Sequence, residues 1–320
     1  MSSPFLLVAL TLFSPHLTPE AELGRYLFHD VRLSVNGNRS CAICHSPNHG
    51  WANSFSRTPD IHNQLVGLNT PSLLNVAEYS TFTYHMPNVT DLATAISRPL
   101  FSAQPAEMGM TPELLSQRLQ NASHLYRPLF HAAYQNAKMS SQQVLHALSA
   151  YVSTIRSTDT AWHHYMNGET EMLSPLQQRG WALFAGEKLR CTQCHGGPLL
   201  NTPVDPASQS RSVRISSLIN VTRTGPWGFN GRFATLESVI EHNATHHDHN
   251  TQNVVLRTGE KHALLAFFQA LETPPPSVYT DVTSPFCALV LLKGQQDATG
   301  CIPPYRPAAS TAFINQEKPL

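Results

Sequence analysis

The feature that most constrains this chain is a Cys-x-x-Cys-His motif, which occurs at residues 41–45 and again at 191–195. Two thiols three residues apart with a histidine directly after the second form the attachment sequence of a c-type haem. The thiols can form thioethers with the porphyrin vinyl groups, and the imidazole can bind the iron as its proximal ligand. The predicted attachment and ligand residues are Cys41, Cys44, His45, Cys191, Cys194 and His195.

Two other uses of paired cysteines explain the motifs less well. A redox-active Cys-x-x-Cys does not need histidine at the next position in both copies. A four-cysteine zinc module usually places its pairs about 15–20 residues apart, whereas Cys44 and Cys191 are separated by most of a domain. The sequence therefore predicts two covalent haems, and their irons carry the chemistry of the protein.

Length and charge narrow the class of protein. A chain of 320 residues suggests two domains. Lysine plus arginine and aspartate plus glutamate number 21 each, so the net charge is zero and neither nucleic acid nor an anionic membrane surface is favoured as a partner. The two cysteines outside the motifs, Cys287 and Cys301, suit a disulfide in an oxidising compartment, with two free thiols as the alternative.

The N-terminus carries an apolar run at residues 5–13, which has the length of a signal peptide and is too short to span a bilayer. It lacks a basic segment before it and a clear small-residue cleavage site. We interpret residues 1–17 as an imperfect export signal or an N-terminal arm. The chain is not expected to be an integral membrane protein.

Each haem motif belongs to a longer internal repeat. Thr18-Pro19 and Ser174-Pro175 each combine an N-cap hydroxyl with proline at the first helical position, so each predicts a helix start. The other repeated blocks are Ser-Leu-Leu-Asn-Val at 72–76, Ser-Leu-Ile-Asn-Val at 217–221, and a pair of apolar helical patterns at 146–152 and 262–268. Matched blocks in one order predict tandem copies of a small helical unit, each wrapped on one haem.

The predicted fold is mainly α, because sustained alternation of apolar and polar residues is scarce. The first domain spans 18–168 and the second 169–276, where three consecutive prolines end the last helix. Residues 277–320 form a proline-rich tail that either clasps the domains or docks elsewhere.

Residues 18–273 resemble the bacterial diheme cytochrome c peroxidase and MauG superfamily. Besides the haem motifs, the resemblance is carried by Leu-Gly-Arg-Tyr-Leu-Phe at 23–28, Asn-Thr-Pro-Ser-Leu-Leu-Asn at 69–75, Glu-Met-Gly at 107–109 and Thr-Leu-Glu-Ser-Val-Ile at 235–240. The stretches at 80–84 and 99–101 are most similar to the methanobactin-associated, MbnH-like diheme enzymes. The resemblance implies two tandem cytochrome c-like domains, with a peroxidatic haem in the first and an electron-transfer haem in the second.

The resemblance also implies a function. The wider family reduces hydrogen peroxide with electrons from small redox proteins, and the subgroup is thought to oxidise a tryptophan on a partner copper-binding protein. The second haem would relay the electrons. The competing class is a diheme electron-transfer cytochrome without catalysis. Relatives attach their haems outside the cytoplasm, so a periplasmic or cell-surface location is implied.

Further roles follow residue by residue from the resemblance. Glu107 matches the acid/base that moves a proton between the oxygens of peroxide. Tyr84 stands where relatives have a tryptophan between the haems, so it is a candidate electron relay, with packing as the alternative. Asn69 matches a residue that helps to hold calcium, but residues 215–217 lack the proline usual in the rest of that site. Calcium is therefore a candidate second cofactor.

The sixth ligand of the second haem is expected to differ from that of relatives. Asn243 stands where peroxidases have methionine and MauG-like enzymes have tyrosine, and an amide is a poor ligand for haem iron. His246, one helical turn further, and the adjacent His242 are the candidate ligands, because a neutral imidazole binds iron well. The alternative is that this histidine-rich run is a solvated loop or a surface metal site.

Overall fold

The computed structural model describes residues 17–83, 89–136, 138–157, 159–201, 214–246, 254–273 and 285–286. Within these ranges regular structure is helical, and β-pairing is limited to isolated bridges. The mainly α prediction is confirmed. The helices are α1 Pro19–His29, α2 Cys41–Cys44, α3 Leu92–Phe101, α4 Pro112–Asn121, α5 Ser123–Tyr134, α6 Ser141–Val152, α7 Ala161–Met166, α8 Pro175–Ala185, α9 Leu236–His246 and α10 Thr258–Gln269.

The first helix of each repeat begins where its sequence predicts. The Thr18 side chain accepts a hydrogen bond from the Ala21 N–H at the start of α1. Ser174 accepts one from the Gln177 N–H at the start of α8, and the Gln177 side chain bonds back to the Ser174 backbone. These caps satisfy N–H groups that have no partner inside the helix.

The two units share one helix-packing arrangement, which requires glycine. A Cβ atom on Gly24 of α1 would lie 2.0 Å from the Ala147 carbonyl oxygen of α6. A Cβ atom on Gly180 of α8 would lie 1.9 Å from the Ala263 carbonyl oxygen of α10. Each helix pair therefore approaches too closely for any side chain. The repeat read from the sequence is confirmed by these equivalent contacts.

Replacing Gly180 with alanine is expected to destabilise the protein, since the atom that it would meet belongs to the backbone and cannot rotate away. Overpacking of this kind typically costs about 1–3 kcal/mol. Gly67→Ala is the matched control, because a Cβ atom at Gly67 has no neighbour within 4 Å. Chemical denaturation would measure both free energies of unfolding, and equal values would contradict the packing argument.

Each unit also contains an equivalent asparagine contact, and a hydrogen bond joins these two contacts across the units. Asn75 and Asn220 both adopt left-handed backbone conformations, with φ of 57° and 60°. The Asn75 side-chain oxygen accepts from the Ser157 N–H at 2.7 Å, and the Asn220 oxygen accepts from the Thr273 N–H at 2.7 Å. The Thr273 hydroxyl then donates to the Ser157 hydroxyl at 2.6 Å. The Asn75–Ser157 contact of the first unit is thus hydrogen-bonded to the Asn220–Thr273 contact of the second.

Two segments cross from one unit to the other. Helix α7 falls in the range predicted for the first domain, yet its Trp162 packs against Trp181 and Phe267 of the second unit. In the tail, Phe286 packs edge-on against Tyr26 of α1, with ring centroids 5.7 Å apart. This contact favours the clasp interpretation for that part of the tail. Residues 1–16, Tyr84, Cys287 and Cys301 lie outside the described residues.

Among the described residues, none of the helices is both long and apolar enough to cross a membrane.

Candidate active site

Each of the two haem-attachment motifs lies on a helical turn of its own. Helix α2 carries Cys41 and Cys44, and a 3-10 helix over Cys191–Gln193 precedes Cys194. A spacing of three residues on one turn places both thiols on the same side of the backbone. Burial raises the pKa of the Cys41 thiol to about 12 and that of Cys44 to about 11, with the Glu107 charge adding to both shifts. In the part of the chain described, none of the four thiols is in a disulfide.

The imidazoles of both motifs are held by backbone carbonyl groups. His45 Nδ1 lies 3.1 Å from the Trp51 carbonyl oxygen, and His195 Nδ1 lies 3.0 Å from that of Leu200. A carbonyl oxygen can only accept, so each Nδ1 carries the proton and each Nε2 presents its lone pair. This is the tautomer and the kind of support that metal-binding histidines use.

Trp51 and Leu200 were not identified as site residues from the sequence. Both have positive φ, 63° and 51°, so the two carbonyls that contact the histidines belong to residues at equivalent left-handed positions of the two units. They orient the histidines through backbone carbonyl groups, which every residue has, so the residue types at these positions could not have predicted the role. For His45, burial lowers the imidazole pKa to about 4, against the opposing effect of the Trp51 and Pro71 carbonyls. The imidazole is therefore neutral at pH 7, the form that binds iron. These groups fit a haem at each motif.

Glu107 lies in a segment that the backbone holds in place. The Met108 N–H donates to the Pro99 carbonyl at the end of α3, and the Met108 carbonyl accepts from the Val35 N–H at 2.8 Å. Gly109 follows with φ of 63°, and a Cβ atom there would lie 2.4 Å from Ile61. The backbone conformation and the close contact with Ile61 therefore favour glycine at position 109.

The carboxyl group of Glu107 has a raised pKa. Burial is the largest cause, and the positive charges of Arg39 and Arg98 oppose it. By its solvent-accessible surface Glu107 is nevertheless an exposed residue, so the crowded carboxyl group lies at the protein surface rather than in the core. Its negative charge in turn raises the pKa of Cys41 and Cys44, which places it within electrostatic reach of the first haem motif.

Arg39 and Arg98 are further residues that the sequence analysis missed. The guanidinium of Arg39 donates to the carbonyl oxygens of Pro59, at 2.5 Å, and Asp60, at 2.7 Å. Arg98 lies in the last turn of α3. A lone arginine in a loop or helix has no pattern to mark it, so only the folded chain shows these charges near Glu107.

Asn69 connects the two units. Its side-chain amide donates to the carbonyl oxygens of Phe55 at 2.9 Å and Ser56 at 3.1 Å, and its backbone N–H donates to the Phe229 carbonyl at 2.7 Å. In the second unit the Ser217 hydroxyl donates to the Leu199 carbonyl. Asn69 thus lies at the junction between units, and calcium binding there stays a prediction.

Comparisons with known proteins agree with this geometry. Residues 18–171 match the family model described as di-haem cytochrome c peroxidase. MauG, the methylamine utilization protein of Methylorubrum extorquens, is 29% identical over 273 residues, or 78% of this chain and 72% of that protein. The cytochrome c551 peroxidase of Nitrosomonas europaea is 25% identical over 252 residues, or 70% of this chain and 74% of that protein.

A similar solved structure is that of a MauG-like protein associated with microbial copper homeostasis. The match covers 85% of this chain and 94% of the chain in that structure, with 25% sequence identity and a TM-score of 0.74. This chain belongs to the diheme cytochrome c peroxidase and MauG superfamily. It is accordingly a peroxidase-like oxidoreductase with two haems, built from tandem cytochrome c-like units.

In this diheme protein His242 of α9, one of the two candidate sixth ligands, contacts an arginine. His242 Nε2 lies 2.6 Å from Arg232 Nη2, and its ring centroid is 5.1 Å from that of Phe233. The imidazole is therefore engaged with the loop that precedes α9. The position of Asn243 is exposed. The His246 side chain and Tyr84 lie outside the described residues.

A cavity of about 620 Å³ lies where the units meet. The first unit contributes Tyr79 and Arg156 to its walls, and the second contributes Arg214 and residues 196–199, which directly follow the second haem motif. The Arg214 guanidinium lies 4.9 Å from the centroid of the Tyr79 ring. The residues that directly follow the second motif therefore line a space between the units, into which Arg156 and Arg214 bring positive charge.

Proposed function

We propose that this enzyme activates hydrogen peroxide at the first haem, bound through His45, and receives electrons through the second haem, bound through His195. The observation that supports this division is the position of Glu107, which lies within electrostatic reach of the first motif. A carboxyl group within electrostatic reach of one motif also argues against a cytochrome that only transfers electrons. Both haems are proposed to be attached through the paired thiols.

Glu107 would move the proton that peroxide cleavage requires. Its carboxylate would take a proton from one oxygen of peroxide and return it to the other oxygen, which would leave as water. The haem, when bound, supplies an iron that binds peroxide and stores oxidising equivalents. A raised pKa helps, because a carboxyl that titrates closer to neutrality can both accept and release a proton.

Arg39 and Arg98 would assist through their charges. They lie close enough to lower the pKa of Glu107 against the effect of burial. The same charges would stabilise negative charge that develops on oxygen as the peroxide bond breaks. Because Arg39 is fixed by two backbone carbonyls, its guanidinium is already in place before peroxide arrives.

The reductant is proposed to be a small electron-transfer protein, with Tyr84 as a relay between the haems. A second candidate is a tryptophan on a copper-binding partner protein, which is favoured by the similarity to a MauG-like protein associated with copper homeostasis. In either case we place the enzyme in the periplasm or at the cell surface, and calcium near Asn69 is proposed as a second cofactor.

Stopped-flow spectroscopy would test the proposed function. Hydrogen peroxide is mixed with the diheme protein, and ferrous cytochrome c is then added as a model donor. We expect peroxide to change the haem spectrum and the donor to restore it, with two donor molecules oxidised for each peroxide reduced to water. Haems whose spectra do not respond to peroxide would contradict the proposal.

The sixth ligand of the second haem can be identified by electron paramagnetic resonance of the ferric protein. Since His242 is engaged with Arg232, we propose His246 as the ligand. We expect a low-spin signal that His246→Ala converts to high-spin, whereas His242→Ala leaves it low-spin. Two high-spin haems in the unmodified protein would exclude histidine ligation.

A further inference from the structure

Aromatic side chains form a continuous series between the half-buried Tyr165 and the second haem ligand. Tyr165 stacks on Trp162 with centroids 5.9 Å apart, and Trp162 lies 4.5 Å from Trp181. Trp181 stacks on Phe184 at 5.9 Å, and Phe184 lies 6.5 Å from the ring of His195. Because Tyr165 is half-buried, the series reaches the protein surface at its outer end, and Trp181 is half-buried as well.

The duplicated framework does not require the two indoles. The Phe184–Phe267 contact of 5.3 Å has its equivalent in the first unit, where Phe28 lies 5.2 Å from Tyr151. Trp181 directly follows the glycine of α8, whereas the residue after the glycine of α1 is Arg25, paired with the buried Glu22. At this position the second unit therefore has an indole where the first unit has an ion-paired arginine.

The surroundings of Trp162 suit reversible oxidation. Its ring is 1% exposed, and its indole N–H donates to the Pro198 carbonyl oxygen at 3.0 Å. A carbonyl is too weak a base to remove the indole proton, so an electron could leave and return without proton loss. Pro198 also lies three residues after His195, which shortens the bonded route to the second haem motif.

We propose that Trp162 and Trp181 relay electrons from the protein surface beside Tyr165 to the second haem. This inference rests on the proposed function, which supplies hydrogen peroxide as the oxidant and a small redox protein as the donor. Trp181 would give one electron to the second haem, Trp162 would replace the electron lost by Trp181, and the donor protein would replace the electron lost by Trp162. Two such transfers, with two protons from solvent, balance the reduction of one peroxide to two waters.

The test uses the full diheme protein oxidised with hydrogen peroxide and then mixed with excess ferrous cytochrome c. We expect Trp162→Phe and Trp181→Phe to slow the return of the second haem to its resting spectrum roughly tenfold, as for a barrier raised by about 1.4 kcal/mol. Trp181→Tyr should recover much of the rate, since a phenol can be oxidised. Trp227→Phe removes an indole outside the series and is the matched control.

A second readout follows the indoles themselves. Without a donor, freeze-quenched protein should show an organic radical, and mass spectrometry should find oxidation at Trp162 and Trp181 that the phenylalanine variants lack. Thermal unfolding and haem content would show that each variant is folded; if a phenylalanine variant is not, oxidation of Trp162 and Trp181 in the unmodified protein carries the test, and its absence would overturn the relay.

The outcomes separate the relay from the function on which it rests. Unchanged donor rates and no oxidation at either indole, in a protein whose haems react with peroxide, would overturn the relay alone. Haems that do not react with peroxide would overturn the proposed function and the relay together. Equal slowing by Trp227→Phe would show a general structural effect and would also overturn the relay.

Discussion

Replacing Glu107 with glutamine should slow the reaction of the first haem with hydrogen peroxide by roughly 10²–10⁴-fold, the range typical of a lost general acid/base. Glutamine keeps the shape of the side chain but cannot carry the proton between the two oxygens. The backbone contacts that hold the segment, from Met108 to Pro99 and Val35, do not involve the side chain, so the fold should persist. Stopped-flow absorbance of the first haem after mixing with peroxide measures the rate.

Glu113→Gln is the matched control, since Glu113 is an exposed carboxylate in the first turn of α4. It should leave the peroxide reaction unchanged. A Glu107→Gln protein that reacts as fast as the unmodified protein would show that Glu107 has no part in the chemistry.

The pH dependence gives an independent check on Glu107. The proton acceptor must be the carboxylate, and burial raises the carboxyl pKa in the folded protein. The rate should therefore rise with pH as Glu107 loses its proton, with the rise displaced above the range of an ordinary glutamate. In Glu107→Gln this rise should be absent. A rise that persists unchanged in the variant would assign the titration to another group.

Replacing both Cys191 and Cys194 with alanine should remove one of the two covalent haems. Thioether bonds to the thiols are what would retain a c-type haem after unfolding, and the second motif supplies two of the four thiols. Denaturing mass spectrometry should show a loss of one haem mass, and donor-dependent peroxide reduction should fall to near background because the proposed electron route is broken.

The first motif supplies the matched comparison. The double variant of Cys41 and Cys44 should also lose one haem mass, but it should abolish the peroxide reaction itself. Retention of both haem masses in either double variant would contradict covalent attachment at that motif. Loss of both haems from one double variant would show that the units do not fold independently.

The sequence by itself determined the features that depend on short stretches of chain. Thiol and imidazole spacing within one turn specifies the haem motifs at 41–45 and 191–195. Capping at Thr18 and Ser174 specifies helix starts, because the interacting groups are three residues apart. The duplication was also visible, since the close approach of α1 to α6 and of α8 to α10 needs a glycine at the same place in each repeat.

Only the tertiary structure decided which distant groups meet. The carbonyls of Trp51 and Leu200 orient the ligand histidines, but any residue has a carbonyl, so sequence cannot single them out. Glu107 acquires its raised pKa from burial and from charges on other elements. Helix α7 lies in the range assigned to the first unit, yet Trp162 packs into the second. Such contacts join residues far apart in the sequence, and a local sequence pattern does not predict which distant residues the loops bring together.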